Sequence, residues 1–121
     1  MIRATSNEET LRRLRSICLS LPESSETASW GHRNFKAGKK VSVAFERVKG
    51  RASIAFRLDP DEVNRLLGRQ EFFVTPYGRG QWVSLWADGR IVWRTVKDLA
   101  ERSYRVVALK RMLTALERRG D

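Results

Sequence analysis

The stretch that decides the fold is residues 41–58, which read VSVAFERVKGRASIAFRL. Apolar side chains alternate with polar or small ones on each side of Lys49-Gly50, which is the period of a half-buried β-strand. Gly50 can adopt positive φ without strain, so it suits a tight connection between two such runs. The stretch therefore predicts two strands joined as an antiparallel hairpin.

Shorter elements lie on the N-terminal side of this hairpin. Residues 26–30 and 34–37 predict two short strands, with Gly31 in a turn or bulge between them. Ser6 and Glu9 have the spacing of a capping box, which predicts the start of an N-terminal helix. The inward face of that helix is expected to hold Leu11, Leu14, Ile17, Cys18 and Leu21.

Helical regions follow the hairpin. Asp59 is expected as the N-cap of a middle helix, with Pro60 at its first position and Glu62 completing a capping box. Gly68 is placed to end that helix in a left-handed cap.

A last helical region is expected to open at Thr95 with Asp98. The apolar spacing leaves open whether it is one long helix or two helices with a break near Ser103. Residues 117–121 are expected to fray.

Two further short strands, at residues 72–74 and 82–86, complete the expected architecture. Few helices and strands joined by short turns favour the α+β class with an antiparallel sheet. We therefore expect one domain over residues 1–121. It has about five strands flanked by N-terminal, middle and C-terminal helices, in the order α-β(3)-α-β(2)-α.

Composition excludes several classes of protein. Four Trp, five Phe and two Tyr in 121 residues supply a packed core and argue against disorder. The single cysteine cannot form an internal disulfide, and no apolar run approaches the ~20 residues that span a bilayer. Acidic residues near the N-terminus occupy the place of the apolar core of a signal peptide. We expect a cytoplasmic protein with no membrane partner.

Charge is the strongest functional signal. The net charge is +10, and residues 33–57 carry +7 of it. A basic surface displayed on a sheet attracts polyanions, which predicts binding to nucleic acid, most simply to phosphates of double-stranded DNA. The alternative is that lysines decorate turns for solubility and guard sheet edges. The expected phosphate contacts are Arg33, Lys36, Lys39, Lys40, Arg47, Lys49 and Arg51.

Two of these groups, Lys39-Lys40 and Lys49-Gly50-Arg51, occupy predicted hairpin tips and would act as basic wings. A second basic group lies in the last helical region: Arg102, Arg105, Lys110 and Arg111. Cations near a helix C-terminus are ordinary complements of the helix dipole. They become part of a binding surface if they lie beside the hairpin tips.

Residues for catalysis are few. One histidine and one cysteine cannot build a zinc site, and no phosphate-binding glycine loop or nucleophile elbow is present. Cys18 is expected to be a small core hydrophobe, and the carboxylates Glu23 and Glu26 to be solvated charges. His32 is either bonded locally in a turn or a donor to phosphate. We expect no enzymatic activity, no metal, no cofactor and no small-molecule substrate.

The tryptophans raise an alternative function. Trp82 and Trp86 share one face of a predicted strand, while Val83 and Leu85 share the other. Both faces carry large apolar side chains, so one of them must be covered by a helix, a partner chain or a ligand. This pattern favours, as the second hypothesis, a protein-binding or chaperone-like module whose oligomeric state is open.

Short motifs in a fixed order resemble the MmcQ/YjbR family of small bacterial proteins. The matching pieces are Leu19-Ser20-Leu21-Pro22-Glu23, Trp30-Gly31-His32, Phe35, Phe56-Arg57-Leu58-Asp59-Pro60, Phe72-Phe73, Pro76-Tyr77, Trp82-Val83-Ser84-Leu85, Ser103-Tyr104-Arg105-Val106-Val107-Ala108 and Lys110-Arg111. The resemblance covers about residues 10–113. The resemblance implies an α+β fold with an antiparallel sheet and a likeness to double-wing DNA-binding domains.

The resemblance also singles out positions for a binding role: Trp30, His32, Tyr104, Arg105 and Lys110. The chain departs from the family pattern at two positions next to these residues. Leu109 and Arg33 stand where proline is expected. Arg33 adds charge to the basic stretch.

Overall fold

The computed structural model describes residues 7–29 and 31–119. Within them the elements are α1 (Asn7–Cys18), β1 (Ser24–Ser29), β2 (His32–Ala37), β3 (Lys40–Val48), β4 (Arg51–Arg57), α2 (Pro60–Leu66), β5 (Phe72–Val74), β6 (Trp82–Trp86), α3 (Trp93–Val107) and α4 (Lys110–Arg119). This confirms the α+β class. The structure has six strands where about five were expected, and the short strand predicted at residues 26–30 corresponds to β1, which pairs with β2 over six residues. No helix in the described ranges is long and apolar enough to cross a membrane.

All six strands form one antiparallel sheet in the order β1-β2-β3-β4-β6-β5. The hairpin predicted from residues 41–58 is β3–β4. Its register pairs Val43 with Phe56 and Phe45 with Ile54. These side chains share the inner face of the sheet, because residues opposite each other in a ladder point to the same side.

Helices α1 and α3 cover the inner face. Leu14 from α1 and Val96 from α3 are fully buried against Phe35, Ile54 and Phe56 of the sheet. Each large apolar side chain buried in this way contributes about 1.5–3 kcal/mol relative to exposure. The apolar faces of α1 and α3, which the helical spacing predicts, thus pack on the apolar face of the sheet, which the strand alternation predicts.

A second, smaller cluster fastens α4. Met112 and Leu116 of α4 pack with Ala37 and Tyr104, all of them buried. Gly38, in the β2–β3 turn, has φ 61°, and a Cβ there would lie 2.6 Å from Cε of Met112. The turn and α4 therefore touch directly, and the positive φ favours glycine at this position.

The last helical region is two helices, and the break lies at residues 108–109 instead of near Ser103. Ala108 is extended, with ψ 148°. The backbone N–H groups of Met112 and Leu113 both donate to the carbonyl of Leu109, which starts α4. The chain therefore turns here with Leu109 in the place where the family pattern expects proline. Helix α4 continues through Arg119, so residues 117–119 are helical in the structure, and the rest of the segment expected to fray, residues 120–121, lies outside the described residues.

Predicted caps differ in detail from the observed helix ends. Asp59 is the N-cap of α2 by its extended backbone, but its side chain makes no capping bond. Glu62 instead accepts hydrogen bonds from Arg65 and Arg102. The C-cap of α2 is Leu67 in a right-handed conformation, so the expected left-handed cap is wrong.

Helix α3 starts two residues earlier than expected, with Val92 as its N-cap. Thr95 lies in its first turn, where its N–H bonds the carbonyl of Val92. Asp98 pairs with Arg102 along the helix instead of capping it. Ser6, predicted to cap the first helix, lies outside the described residues.

Candidate nucleic-acid interface

The two basic hairpin tips lie at opposite ends of the sheet. The β2–β3 turn, with Lys39 and then Lys40, precedes β3, and the β3–β4 turn, with Lys49, follows it. Nine residues of extended strand separate the two turns by roughly 26 Å at ~3.3 Å per residue. The basic stretch is therefore split into two groups, and each tip has different neighbours.

One group lies beside α4. The N–H of Gly38 donates to the carbonyl of Glu23 at 3.0 Å, and Arg111 donates two hydrogen bonds to the Glu23 carboxylate at 2.8 and 2.9 Å. The hairpin turn and the C-terminal cations therefore share one surface. We call this surface the α4 end and define it as Lys39, Lys40, Lys110, Arg111, Arg118 and Arg119.

The exposed face of α4 is basic with small residues at its centre. Thr114 and Ala115 lie between Arg111 and Arg118 at helical spacing, and together with Arg119 they line an open hollow of about 670 Å³. The side chains of Lys39, Lys40, Lys110 and Arg118 have no hydrogen bond or ion pair with the rest of the described chain. Four cations at this end are therefore available to an external anion.

The opposite group is largely engaged in holding its own turn. Lys49 and Gly50 both have positive φ, 53° and 76°, as a tight two-residue hairpin requires. Arg47 donates to the carbonyl of Gly50 at 3.0 Å. Arg51 makes a bidentate ion pair with Asp88 at 2.7 and 3.1 Å and lies 3.8 Å over the ring of Trp86. Only Lys49 is free among these cations; we call this group the Lys49 end.

Two other predicted phosphate contacts are committed to internal ion pairs. Arg33 Nε donates to Glu26 at 2.7 Å, and Arg15 of α1 donates to the same carboxylate at 2.6 and 2.9 Å. Bonds from Arg15 and then Arg33 lower the pKa of Glu26 to about 2. The ionised Glu26 carboxylate thus links β1 to α1 through Arg15, and Arg33 supplies a second positive charge that neutralises it. Arg105 likewise pairs with Glu101 and lies 3.8 Å from Glu117.

A polar cluster lies on the outer face of the sheet, opposite the helices. Glu46, the single acid of the basic stretch, is only 3% exposed. Its Oε2 accepts a hydrogen bond from the hydroxyl of Tyr77 at 2.7 Å and lies 2.8 Å from Nδ1 of His32. Burial, with Glu46 beside it, raises the pKa of Tyr77, which keeps the phenol protonated. His32 is therefore bonded within the protein through one ring nitrogen.

The loop that carries Tyr77 covers part of this face. We call residues 75–81 the strap loop. Thr75 and Ser84 share a 2.7 Å hydrogen bond, and the ring of Tyr77 contacts the edge of Trp82 with 5.7 Å between centroids. Gly78 has φ 81°, and a Cβ there would lie 2.1 Å from Cδ1 of Trp82. Beneath the loop the sheet presents small buried side chains: Ala44, Ser53, Ala55 and Ser84.

Both apolar faces of β6 are covered within the chain. Val83 and Leu85 are buried in the main core under the helices. Trp82 contacts the strap loop, and Trp86 stacks on Phe73 with 3.9 Å between ring centroids. This strand therefore supplies no exposed apolar face of the kind that favoured a protein-binding module.

The remaining predicted positions have structural roles or lie outside the described residues. Tyr104 is buried and donates to the carbonyl of Pro22 at 2.7 Å, which ties α3 to the start of the sheet. Burial raises the pKa of the Cys18 thiol to about 12, so it remains protonated and unreactive at neutral pH. Trp30 lies outside the described residues. Within the described ranges no group of three or more His, Cys, Asp and Glu could hold a metal ion.

Sequence reasoning missed Arg118 and the role of Tyr77. A signal for Arg118 existed, since Met112 and Leu116 have helical spacing and predict that α4 extends past residue 117. No local signal indicates that Tyr77 reaches Glu46, because 31 residues separate them in sequence.

Comparison with known proteins fits this geometry. The Deinococcus radiodurans protein DR2400, a DUF419 domain, has a TM-score of 0.70 at 21% identity, over 88% of this chain and 87% of its own. A Pseudomonas syringae protein from a structural-genomics programme has a TM-score of 0.66 at 11% identity, over 84% of this chain and 98% of its own. At these identities they show the shared fold alone.

No curated protein matches the chain. The model of the YjbR family matches residues 19–106, well over half of its length. This confirms the resemblance drawn from the sequence motifs. The chain belongs to the YjbR family.

Proposed function

We propose that the protein binds double-stranded DNA through phosphate contacts at the α4 end. The observation that carries the proposal is the contact between the β2–β3 turn and α4, which brings Lys39 and Lys40 onto the same surface as the exposed arginines of α4. Separate in sequence by about seventy residues, these cations meet only in the folded chain. Concentrated positive charge on an ordered surface is the electrostatic footprint of a nucleic-acid-binding protein.

The shape of α4 supports backbone contact. Thr114 and Ala115 are small, so they permit a close approach to a phosphate chain, while Arg111 and Arg118 flank them on the same helix face. Arg111 is already paired with Glu23, so Arg118, Lys110 and the two turn lysines supply the free charges. A guanidinium or ammonium group on each side of a shallow hollow suits the spaced phosphates of a duplex strand.

The α4 end favours a duplex over a single strand because its described residues present no exposed aromatic ring. Single-stranded nucleic acids are bound largely by stacking bases on exposed aromatic rings. Tyr104, the aromatic residue packed against α4, is 1% exposed and uses its hydroxyl internally. The six residues of the α4 end are all lysine or arginine, and the hollow between them adds only Thr114 and Ala115.

The test is the salt dependence of binding to a labelled duplex of ~20 base pairs and to its single strand. Four phosphate contacts predict a log–log slope near −3.6, which weakens duplex binding about 10²-fold between ~50 and ~200 mM salt. Lys39→Gln/Lys40→Gln should reduce that slope by about two contacts. Lys49→Asn at the opposite end is the control, since asparagine tolerates positive φ there, and it should leave the slope unchanged.

Absence of duplex binding at ~50 mM salt, or binding that salt does not weaken, would overturn the proposal. An equal loss from the Lys49→Asn control would show that net charge acts without a defined surface.

A further inference from the structure

The outer face of β1 and β2 is an open polar strip beside the α4 end. The ladder pairs Ser25 with Lys36, Thr27 with Asn34 and Ser29 with His32, which places all six side chains on one face. Each of the six is at least partly exposed. We call these six residues the β1–β2 outer strip.

No carboxylate is displayed on this strip. Glu26, the acid of β1, alternates to the other face, where Arg15 and Arg33 neutralise it. Glu46 of the neighbouring strand is buried, with its Oε2 bonded by Tyr77 and His32. The strip therefore offers short hydrogen-bonding side chains and Lys36 with no negative charge to repel DNA.

We propose that the β1–β2 outer strip reads base edges in the major groove of the duplex held by the α4 end; this inference rests on the proposed function. The major groove, about 12 Å wide, admits a two-stranded β-ribbon. Hydroxyl, amide, imidazole and ammonium groups are the side chains that pair with base edges there. They occur together on this strip.

Two members of the strip are held in place by internal bonds. The 2.8 Å contact of His32 Nδ1 with Glu46 requires a proton on that nitrogen, because a carboxylate oxygen only accepts. Nε2 is left for an external partner. Asn34 donates one amide hydrogen to Ser29 Oγ at 2.9 Å, which leaves its carbonyl oxygen and second amide hydrogen available. Side chains fixed in this way lose little entropy on binding.

The strip is continuous with the proposed phosphate contacts. Lys36 is separated from the β2–β3 turn by Ala37 alone, and Lys39 and Lys40 follow at that turn. Strand β2 thus carries three groups of the strip on its outer face and leads directly into the turn that holds the cations. Because these lysines complement the negative charge of DNA phosphates, double-stranded DNA is the partner that we expect on the strip.

The experiment is selection of bound duplexes from a random pool by the full chain, followed by affinity measurements on the enriched and random duplexes. We expect an enriched motif of several base pairs. Asn34→Ala and, separately, Thr27→Ala, at an exposed position, should reduce the preference for that motif about 10-fold while the salt slope stays unchanged. Lys39→Gln/Lys40→Gln should do the reverse. Methylation of guanine N7 in the motif should weaken binding, because N7 lies in the major groove.

The two proposals fail separately. Salt-dependent duplex binding without any enriched motif would overturn the base-reading strip and leave the phosphate surface standing. An enriched motif that neither Asn34→Ala nor Thr27→Ala alters, or that tolerates N7 methylation, would also overturn the strip. Absence of salt-dependent binding to any duplex would overturn the proposed function itself.

Discussion

The two faces of the sheet are buried in different ways. On the inner face, large apolar side chains such as Phe35, Ile54 and Phe56 pack under two helices. On the outer face, small side chains lie under the strap loop, and the hydrogen bond from Tyr77 to Glu46 joins that loop to β3. Apolar packing is non-directional, whereas a buried hydrogen bond requires one geometry.

This difference teaches where stability and surface shape each arise. The inner face removes most apolar area from water and should dominate the free energy of unfolding. The outer face contributes less area, but it keeps Glu46 off the surface and positions His32. A protein can therefore lose the arrangement of its outer face while it remains folded. Three predictions test this comparison.

The largest effect is expected from Phe56→Ala on the inner face. Phe56 is fully buried, so the change removes its packing and leaves a cavity, which should lower the free energy of unfolding by about 3–5 kcal/mol. Urea denaturation followed by circular dichroism measures this. Val74→Ala, on a side chain that is 67% exposed, is the control and should change stability by less than about 0.5 kcal/mol. Equal effects of the two changes would contradict the assignment of the core.

A smaller effect is expected from Gly78→Ala in the strap loop. The new Cβ would meet Trp82 and also force alanine into positive φ, so we expect a loss of about 2–3 kcal/mol. Gly80→Ala is the matched control, since its φ of 82° is equivalent but no atom lies within 4 Å. It should cost only the backbone strain, about 1 kcal/mol. Faster amide exchange confined to residues 75–81 in Gly78→Ala would place the damage in the loop. Identical losses in the two variants would show that the loop does not press on Trp82.

The smallest effect is expected from Glu26→Gln, which removes the carboxylate that Arg15 and Arg33 bind on the inner face of the sheet. Arg15 and Arg33 lower the pKa of Glu26 to about 2 from an unfolded value of 4.5. The lowered pKa means that Glu26 stabilises the fold above about pH 4.5, and that this contribution disappears as the pH falls toward 2. Because the arginines are partly exposed, screening limits it to about 1–2 kcal/mol. Glu26→Gln should be less stable than the wild type at pH 7, with the gap closing near pH 2. A gap that does not depend on pH would mean that Glu26 acts through packing alone.

The alternation of residues 41–58 predicted the β3–β4 hairpin, because period-two burial is local and strong there. The alternation of residues 82–86 likewise predicted two apolar faces on β6. Local sequence pattern could not predict the position of the strap loop, because Tyr77 and Glu46 meet only after β3 and β6 join the same sheet. Long-range hydrogen bonds of single side chains leave no periodic trace in a sequence.

The placement of the basic tips was available from the sequence in part. One turn precedes β3 and the other follows it, so an extended strand between them must separate the tips. Which tip meets α4 was not available, because it depends on the packing of Met112 against Gly38. The sequence also did not predict that carboxylates bind Arg33 and Arg51, because strand pairing brings Glu26 to Arg33 and Asp88 to Arg51.

The end positions of β1 and β5 in the sheet bear on how the protein behaves at high concentration. Unpaired strand edges invite further strands and begin aggregation. β5 is only three residues long, which gives a second chain little to extend. β1 is longer, with six residues, and its one charged side chain, Glu26, points toward the helices and is already paired with Arg15 and Arg33. We therefore expect any strand addition at high concentration to begin at β1 and not at β5.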